Sequence, residues 1–581
     1  MAIGLQDFIG TGLYGGEYVV GSKRFGPWDV TLGLGWGRLG TMADGQNPLA
    51  AVSPRFETRP RDVGQGGSIN SVHVFRGEDA AFFGGVEYSL PAAWGVEGLR
   101  AKVEFSGDAL RDERGGWPAR TTGLRGEAQS RVNYGLQWSN GWLDAGLGWL
   151  HGSDLMFRVS ARLDPARPPE VGRDPPPALG ARPLVVADPE AAVREALRAA
   201  GFRPVAVRIE GASARIAVAG GRQRRLSQAA GRVARAVQAH LPPEVERIVL
   251  SWRQAGVEVA RLVLARAAME AAARGEGSAE EMYFSTPLQA AGADDFGLMD
   301  GGAGFSWGVE PRVSTLLGDP SRTLRWQVAT VVGARAEFGH GLALAGSLSR
   351  TLAGNLAGAP PSDSRLPRVR SEVARYAREG ETAVPALYAE RIWGLGPDVF
   401  ARTTAGYLEP MFAGLSGEVL WRPHDRPWAL GAEVARVGQR EYDQRLGMRG
   451  YQVTTGHVSA YADLPWFGMY GVARAGRYLA GDWGGTLELG RRFDSGIEVG
   501  GFATITDVPF KTFGEGSFDR GIYIRVPLDI FGIETRAVTP MTIRGVTRDG
   551  GGRLGVDNPL WEVTREGRGR AFEDGFLGFT R

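Results

Sequence analysis

The chain has 581 residues, enough for several domains, and a formal net charge of only +2, which excludes a general nucleic-acid surface. Glycine accounts for 87 residues, roughly double the ordinary share, yet there is no collagen period, and 16 Trp, 25 Phe and 14 Tyr are spread along the chain. The absence of cysteine excludes disulfides, thiolate metal sites and cysteine nucleophiles, and no apolar run is long enough for a transmembrane helix.

Residues 1–160 read as seven or eight strands, within a first segment of residues 1–163. Val30, Leu32, Leu34 and Trp36 share one face and Thr31, Gly33, Gly35 and Gly37 the other. Ala101, Val103 and Phe105 oppose Lys102, Glu104 and Ser106, and Leu143, Ala145, Leu147 and Trp149 oppose Asp144, Gly146 and Gly148. The polar stretches 41–69 and 107–130 read as long loops. Met1 is followed at once by AIGLQDFIG, with no basic region or apolar core of a secretory signal.

The composition changes at 164–183, where seven prolines and no periodicity predict a stiff linker. From 184 to 285 the period lengthens to that of helices. Asp188 as N-cap, Pro189 in the first turn and Gly201 at the end predict a helix over Pro189–Ala200. Hairpins are predicted for Pro204–Glu210 with Ala214–Ala219 and for Arg247–Trp252 with Gly256–Leu264, and helices for Arg224–His240 and Ala265–Arg274. This α-β-β-α-β-β order is a small α+β domain.

The period of two returns over 286–581. In Thr486–Phe493 (TLELGRRF), Leu487, Leu489 and Phe493 fall on one face and Thr486, Glu488, Gly490 and Arg492 on the other. Such segments follow one another, broken by turns, as a transmembrane barrel wall requires. On that reading Glu418, Arg422, Glu433, Glu488, Arg492 and Glu498 line a polar lumen, because charge on the lipid face is costly. There they either pair and stiffen the barrel or line a path for a polysaccharide. Arg491 breaks the alternation and is assigned to a membrane edge. Ser362–Gly380 is charged and helical, expected as a solvated surface helix, with a plug or docking helix as the alternative. Many barrels end on an aromatic residue within the last strand; the terminal GFLGFTR matches this imperfectly, with Phe579 two residues short of that position.

Several motifs that suggest chemistry lack their context. Gly35–Gly40 (GWGRLG) fits a dinucleotide fingerprint, but TMADGQNP after it cannot open the required helix. Gly304–Gly308 (GFSWG) fits a nucleophile elbow around Ser306, but an extended segment follows. The histidines at 73, 151, 240, 340, 424 and 457 show no metal-ligand spacing, and no lysine follows the glycines of a phosphate loop. No cofactor is expected.

Longer motifs carry a resemblance. Gly406–Pro423 (GYLEPMFAGLSGEVLWRP), Gln439–Leu446 (QREYDQRL), Ala475–Thr486 (AGRYLAGDWGGT), Phe513–Pro527 (FGEGSFDRGIYIRVP), Gly4–Tyr18 and Val30–Gly40 resemble the YjbH family of outer-membrane proteins encoded with exopolysaccharide biosynthesis genes. The likeness extends through LPRVRSEVARYAREG within 362–380. It implies that a signal and several strands lie upstream of Met1.

Together these readings give a mainly β fold: two antiparallel transmembrane β-barrels, the first incomplete, with an intervening periplasmic α+β domain. The resemblance implies a part in exopolysaccharide production or secretion, without catalysis, as a polar-lumen channel or an assembly scaffold. The expected partners are the outer-membrane bilayer, the extracellular polysaccharide and periplasmic proteins of the same pathway. An outer-membrane enzyme acting on glycan or lipid, and a purely structural barrel, are the alternatives.

Overall fold

The computed structural model describes residues 1–6, 15–59, 74–92, 96–110, 128–162, 164–166, 175–292, 303–319, 322–362, 364–513, 518–532, 535–544 and 549–579. The loops expected at 41–69 and 107–130, the proline-rich stretch and the motif Gly4–Tyr18 therefore lie partly outside the described residues. The chain divides into two compact units, one of residues 1–164, 317–324 and 509–518 and one of the remainder.

In the first unit, strands run from Ala2–Gln6 to Asp154–Ala161 in chain order, each antiparallel to the last, with the short Gly45–Gln46 attached to Asp79–Ser89. Gly35–Gly40 is a strand end followed by a single 3-10 turn, with Gly37 at φ +62°, and no α-helix opens there.

The second unit begins with the α+β domain. The helix Pro189–Ala199 is capped by the Asp188 carboxylate, which accepts from the Ala191 amide, as an N-terminus with unpaired N–H groups requires. Phe202–Glu210 pairs antiparallel with Ser213–Gly220, which pairs in parallel with Arg247–Gln254 across the helix Leu226–Gln238. Val257–Ala265 and the short Leu288–Gln289 complete this sheet. The helix Arg266–Arg274 follows Val257–Ala265, and a fourth helix, Ala279–Phe284, opens with a Ser278–Glu281 capping box.

The second sheet of this unit has thirteen strands in chain order from Gly304–Asp319 to Val538–Arg544. Its inner face is covered. Val193, Val233, Val237 and Leu250 of the α+β domain belong to the same apolar core as Ile392, Phe400 and Leu420 of the sheet. Leu560, Trp561, Phe572, Phe576 and Phe579 of the C-terminal segment complete that core.

This arrangement corrects the expectation of two closed barrels. Among the described residues no sheet closes on itself: Val538–Arg544 pairs only with Asp519–Pro527 and is exposed along its whole length. With no closed wall there is no lumen, so the outer-membrane barrel acting as channel or scaffold falls with it. The physical reason is that alternation specifies one polar and one apolar face but not closure. An open sheet whose polar face packs on another part of the chain shows the same pattern. Among the described residues, no helix is long and apolar enough to cross a membrane.

Two local expectations change as well. Phe579 ends no strand; it is 2% exposed at the end of the helical segment Gly569–Gly578, against the helix Leu226–Gln238. The helix within 362–380 is short, Val373–Glu379, and is solvated on one face only: Arg375, Arg378 and Glu379 are exposed, whereas Ala374 and Tyr376 are buried. Tyr376 and Val369 are buried, and the Asp549 carboxylate accepts from the Arg370 amide and from the amide and hydroxyl of Ser371.

Candidate functional site

The inner face of the long sheet gathers the charged residues singled out by alternation. Strand register sets Glu418 directly opposite Glu433, a like-charge pair that is unfavourable unless countered. Each is countered. Arg402 reaches Glu418 at 2.8 Å, and the same carboxylate accepts from the Leu560 amide at 3.1 and 3.2 Å. Glu433 takes Arg553 in a two-pronged pair, both contacts 2.9 Å, and also meets His457 Nδ1 at 2.9 Å. Burial pushes the Glu418 carboxyl up. For Glu433 burial acts upward too, but Arg553 and His457 outweigh it and hold the carboxyl far below its usual range.

Further along the face, Glu488 binds Arg474 at 3.0 Å and accepts from the Tyr523 hydroxyl at 2.8 Å. Tyr523 and Tyr470 share a hydrogen bond of 2.7 Å. Arg492 pairs across strands with Glu498, 3.0 Å apart, and Arg525 and Arg565 reach the same carboxylate. Burial of Glu498 acts upward, yet these three arginines hold it down at about 2. Arg525 and Arg565 also share Glu562, each at 2.9 Å.

Arg422 differs from the others. It lies just past the strand Phe412–Trp421, is fully buried, and donates to the Val259 carbonyl of the α+β domain at 2.9 Å. Burial pushes its guanidinium down to about 10.

The six residues thus share one face and its margin, but their partners are mostly groups that sequence reasoning did not find. Arg402 and Arg525 follow the same alternation and were accessible to it. Arg553, Glu562, Arg565 and Glu566 lie in the C-terminal segment, where no strand or helix period marks them. Arg440, inside the motif QREYDQRL, is also fully buried and donates to the carbonyls of Val384, Pro385, Glu409, Gln444 and Arg445. It ties the strand Trp428–Arg440 to the strand Thr382–Gly396 and to two neighbouring turns.

Chemically, this face is a set of matched charges that fastens the C-terminal segment to the sheet. Tyr461 stacks on Trp561 with centroids 4.3 Å apart, and Arg568 lies over the same indole. Ser306 sits exposed within the unbroken strand Gly304–Asp319, so GFSWG forms no elbow. Among the described residues no group of three His, Asp or Glu is placed to hold a metal ion.

The fold and this face define a mainly β protein whose long antiparallel sheet is sealed on one side by its own helical segments. The chain belongs to the YjbH family, described as exopolysaccharide biosynthesis protein YbjH, whose model matches residues 1–566. It is 32% identical over 593 residues to the uncharacterized lipoprotein YjbH of Escherichia coli (strain K12), a match covering 97% of this chain and 82% of that relative.

Proposed function

We propose that this protein takes part in exopolysaccharide production as a non-catalytic, membrane-associated component that binds glycan. The observation that carries this reading is the family match over nearly the whole chain. Its partners on this reading are the polysaccharide and other proteins of the same pathway.

Membrane association has two supports. The Escherichia coli relative carries the name lipoprotein. In addition, the outer face of the long sheet is apolar and exposed. Register aligns Trp421, Leu430, Ala460, Ala473, Leu487 and Ala503 in one row across six strands. Leu415, Val434 and Val458 on the same face are 53%, 58% and 62% exposed. Contiguous apolar surface of this kind marks a protein or membrane contact. We place the protein in the cell envelope with its α+β domain in the periplasm.

Secreted polymer is measured from cells lacking the gene and from the same cells complemented with it. Loss on deletion and recovery on complementation are expected; an unchanged yield sinks the reading.

A further inference from the structure

We propose that a cavity at one end of the long sheet binds a carboxylate-bearing sugar unit of an acidic polysaccharide, an inference that rests on the exopolysaccharide reading. The cavity has a volume of about 350 Å³, within the range of small-ligand sites. It lies between the turn Asp463–Met469, the strand end Arg491–Gly496, the start of the helix Leu226–Gln238 and the C-terminal helix Gly569–Gly575.

Its lining carries six arginines against four carboxylates, an excess of positive charge. Most of these arginines have duties within the fold. Arg568 pairs with Asp463, Arg492 with Glu498 and Glu566, and Arg224 with Asp529. Arg491 is different: its guanidinium lies 4.5 Å from the Phe493 ring centre and 5.9 Å from that of Phe467, and among the described residues it forms no ion pair. The pairs of Arg570 with Asp574 at 3.3 Å and Glu573 at 3.8 Å involve half-exposed side chains, which hold a guanidinium only weakly. Arg491 and Arg570 both line this cavity, the first without an ion pair among the described residues and the second in weak ones, and a planar guanidinium matches a carboxylate in a two-pronged contact.

A second observation is independent of charge. Phe467 has φ +52° and Gly468 φ +64°, so the hairpin turn places a bulky residue in the left-handed region that glycine or asparagine ordinarily fills. The residue is 77% exposed. The same residue–glycine turn recurs at Ala255–Gly256, φ +50° and +84°, so the conformation is what a tight hairpin requires; what is particular here is that it displays an exposed aromatic side chain beside Arg491 at the cavity. A flat ring next to unpaired guanidinium charge suits a uronate: the apolar C–H face of the sugar on the ring, its carboxylate on the arginines.

The test uses the full chain in detergent, titrated calorimetrically with a galacturonic acid trimer, with neutral maltotriose and with inorganic phosphate. The uronate is expected to bind, more weakly as salt rises, and maltotriose to bind at least about tenfold more weakly. The double variant Arg491→Gln with Arg570→Gln and the single variant Phe467→Gly are each expected to lose at least about tenfold in uronate affinity. Phe467→Gly should also raise the unfolding temperature, because glycine relieves the strained turn; a binding defect in a stabilised protein is not misfolding. Equal affinity for the neutral trimer, or unchanged uronate affinity in both variants, overturns the proposal. So does phosphate competing as well as the uronate, which marks a general anion pocket. If Phe467→Gly instead abolishes binding to phospholipid vesicles and keeps uronate affinity, the turn is a lipid anchor and the proposal falls. Intact uronate binding with an unchanged polymer yield on gene deletion would reject the exopolysaccharide role and leave the site standing.

Discussion

Gly231, in the interior of the helix Leu226–Gln238, lies so close to Phe579 that a Cβ at this position would stand 1.9 Å from the Phe579 carbonyl oxygen. Glycine inside a helix ordinarily costs about 1 kcal/mol relative to alanine, so the residue marks a close approach of two backbones. Gly231→Ala should therefore destabilise the protein by about 2 kcal/mol, against the usual sign for this substitution. Thermal unfolding followed by circular dichroism measures it. A raised melting temperature would mean that the C-terminal segment does not dock on this helix.

Glu433 and Arg553 are 120 residues apart in sequence and meet in a two-pronged pair on the inner face. Because Glu418 stands opposite Glu433 in register, removing Arg553 leaves two carboxylates facing one another with reduced compensation. Arg553→Met should cost about 1–3 kcal/mol, less than the loss of a fully buried pair, because the Arg553 side chain is 34% exposed. Adding Glu433→Gln should recover part of that loss, since the uncompensated charge is then gone. Urea unfolding of both variants checks this, and equal stability of single and double variants would refute the coupling.

How much of this was legible follows from the range of the interactions involved. In TLELGRRF alternation alone separates Leu487 and Leu489, which the structure exposes, from Glu488, which turns to Arg474 and Tyr523. The helix Pro189–Ala199 was equally accessible, because cap and first-turn proline are neighbours in sequence. What covers the inner face was not. Arg370 and Asp549 meet across 179 residues, and Glu433 and Arg553 across 120, with no local pattern to announce either contact. Closure is illegible for the same reason: a period of two is satisfied equally by a barrel wall and by an open sheet with its polar face packed. The strap at 362–380 looked solvated because its charges are obvious, whereas the buried Val369 and Tyr376 are only two residues in a polar run.

The carboxylate cluster predicts a direction for pH dependence. Glu498 is 2% exposed and held at about 2, against an ordinary value of 4.5; Glu562 and Glu566 are likewise lowered, the arginines around them outweighing the upward push of burial. A carboxyl lowered in the folded state favours folding above its unfolded pKa and loses that contribution as pH falls through the folded value. The contribution of these three carboxyls should therefore be constant from neutral pH to about 5 and be lost between about 5 and 2. The Glu498 share is about 3 kcal/mol. Glu498→Gln should be less stable than the parent at pH 7 and show a shallower decline. Urea midpoints measured across that range provide the test, and parallel curves would remove Glu498 from the account.

The apolar outer face makes the last prediction. Val458 and Leu487 are 62% and 66% exposed and lie on that face, pointing away from the matched charges behind the sheet. Replacing both with glutamate should leave the inner face and the melting temperature nearly unchanged, since exposed substitutions away from special features usually shift stability by less than about 0.5 kcal/mol. Contact with lipid is another matter. Transferring one such side chain from water to an apolar phase is worth about 1.5–3 kcal/mol, so two losses, with charge added, should lower vesicle partitioning by more than about tenfold. Flotation of the full chain with phospholipid vesicles reads this directly. If the variant floats as the parent does, acyl chains do not cover this face, and a protein surface must.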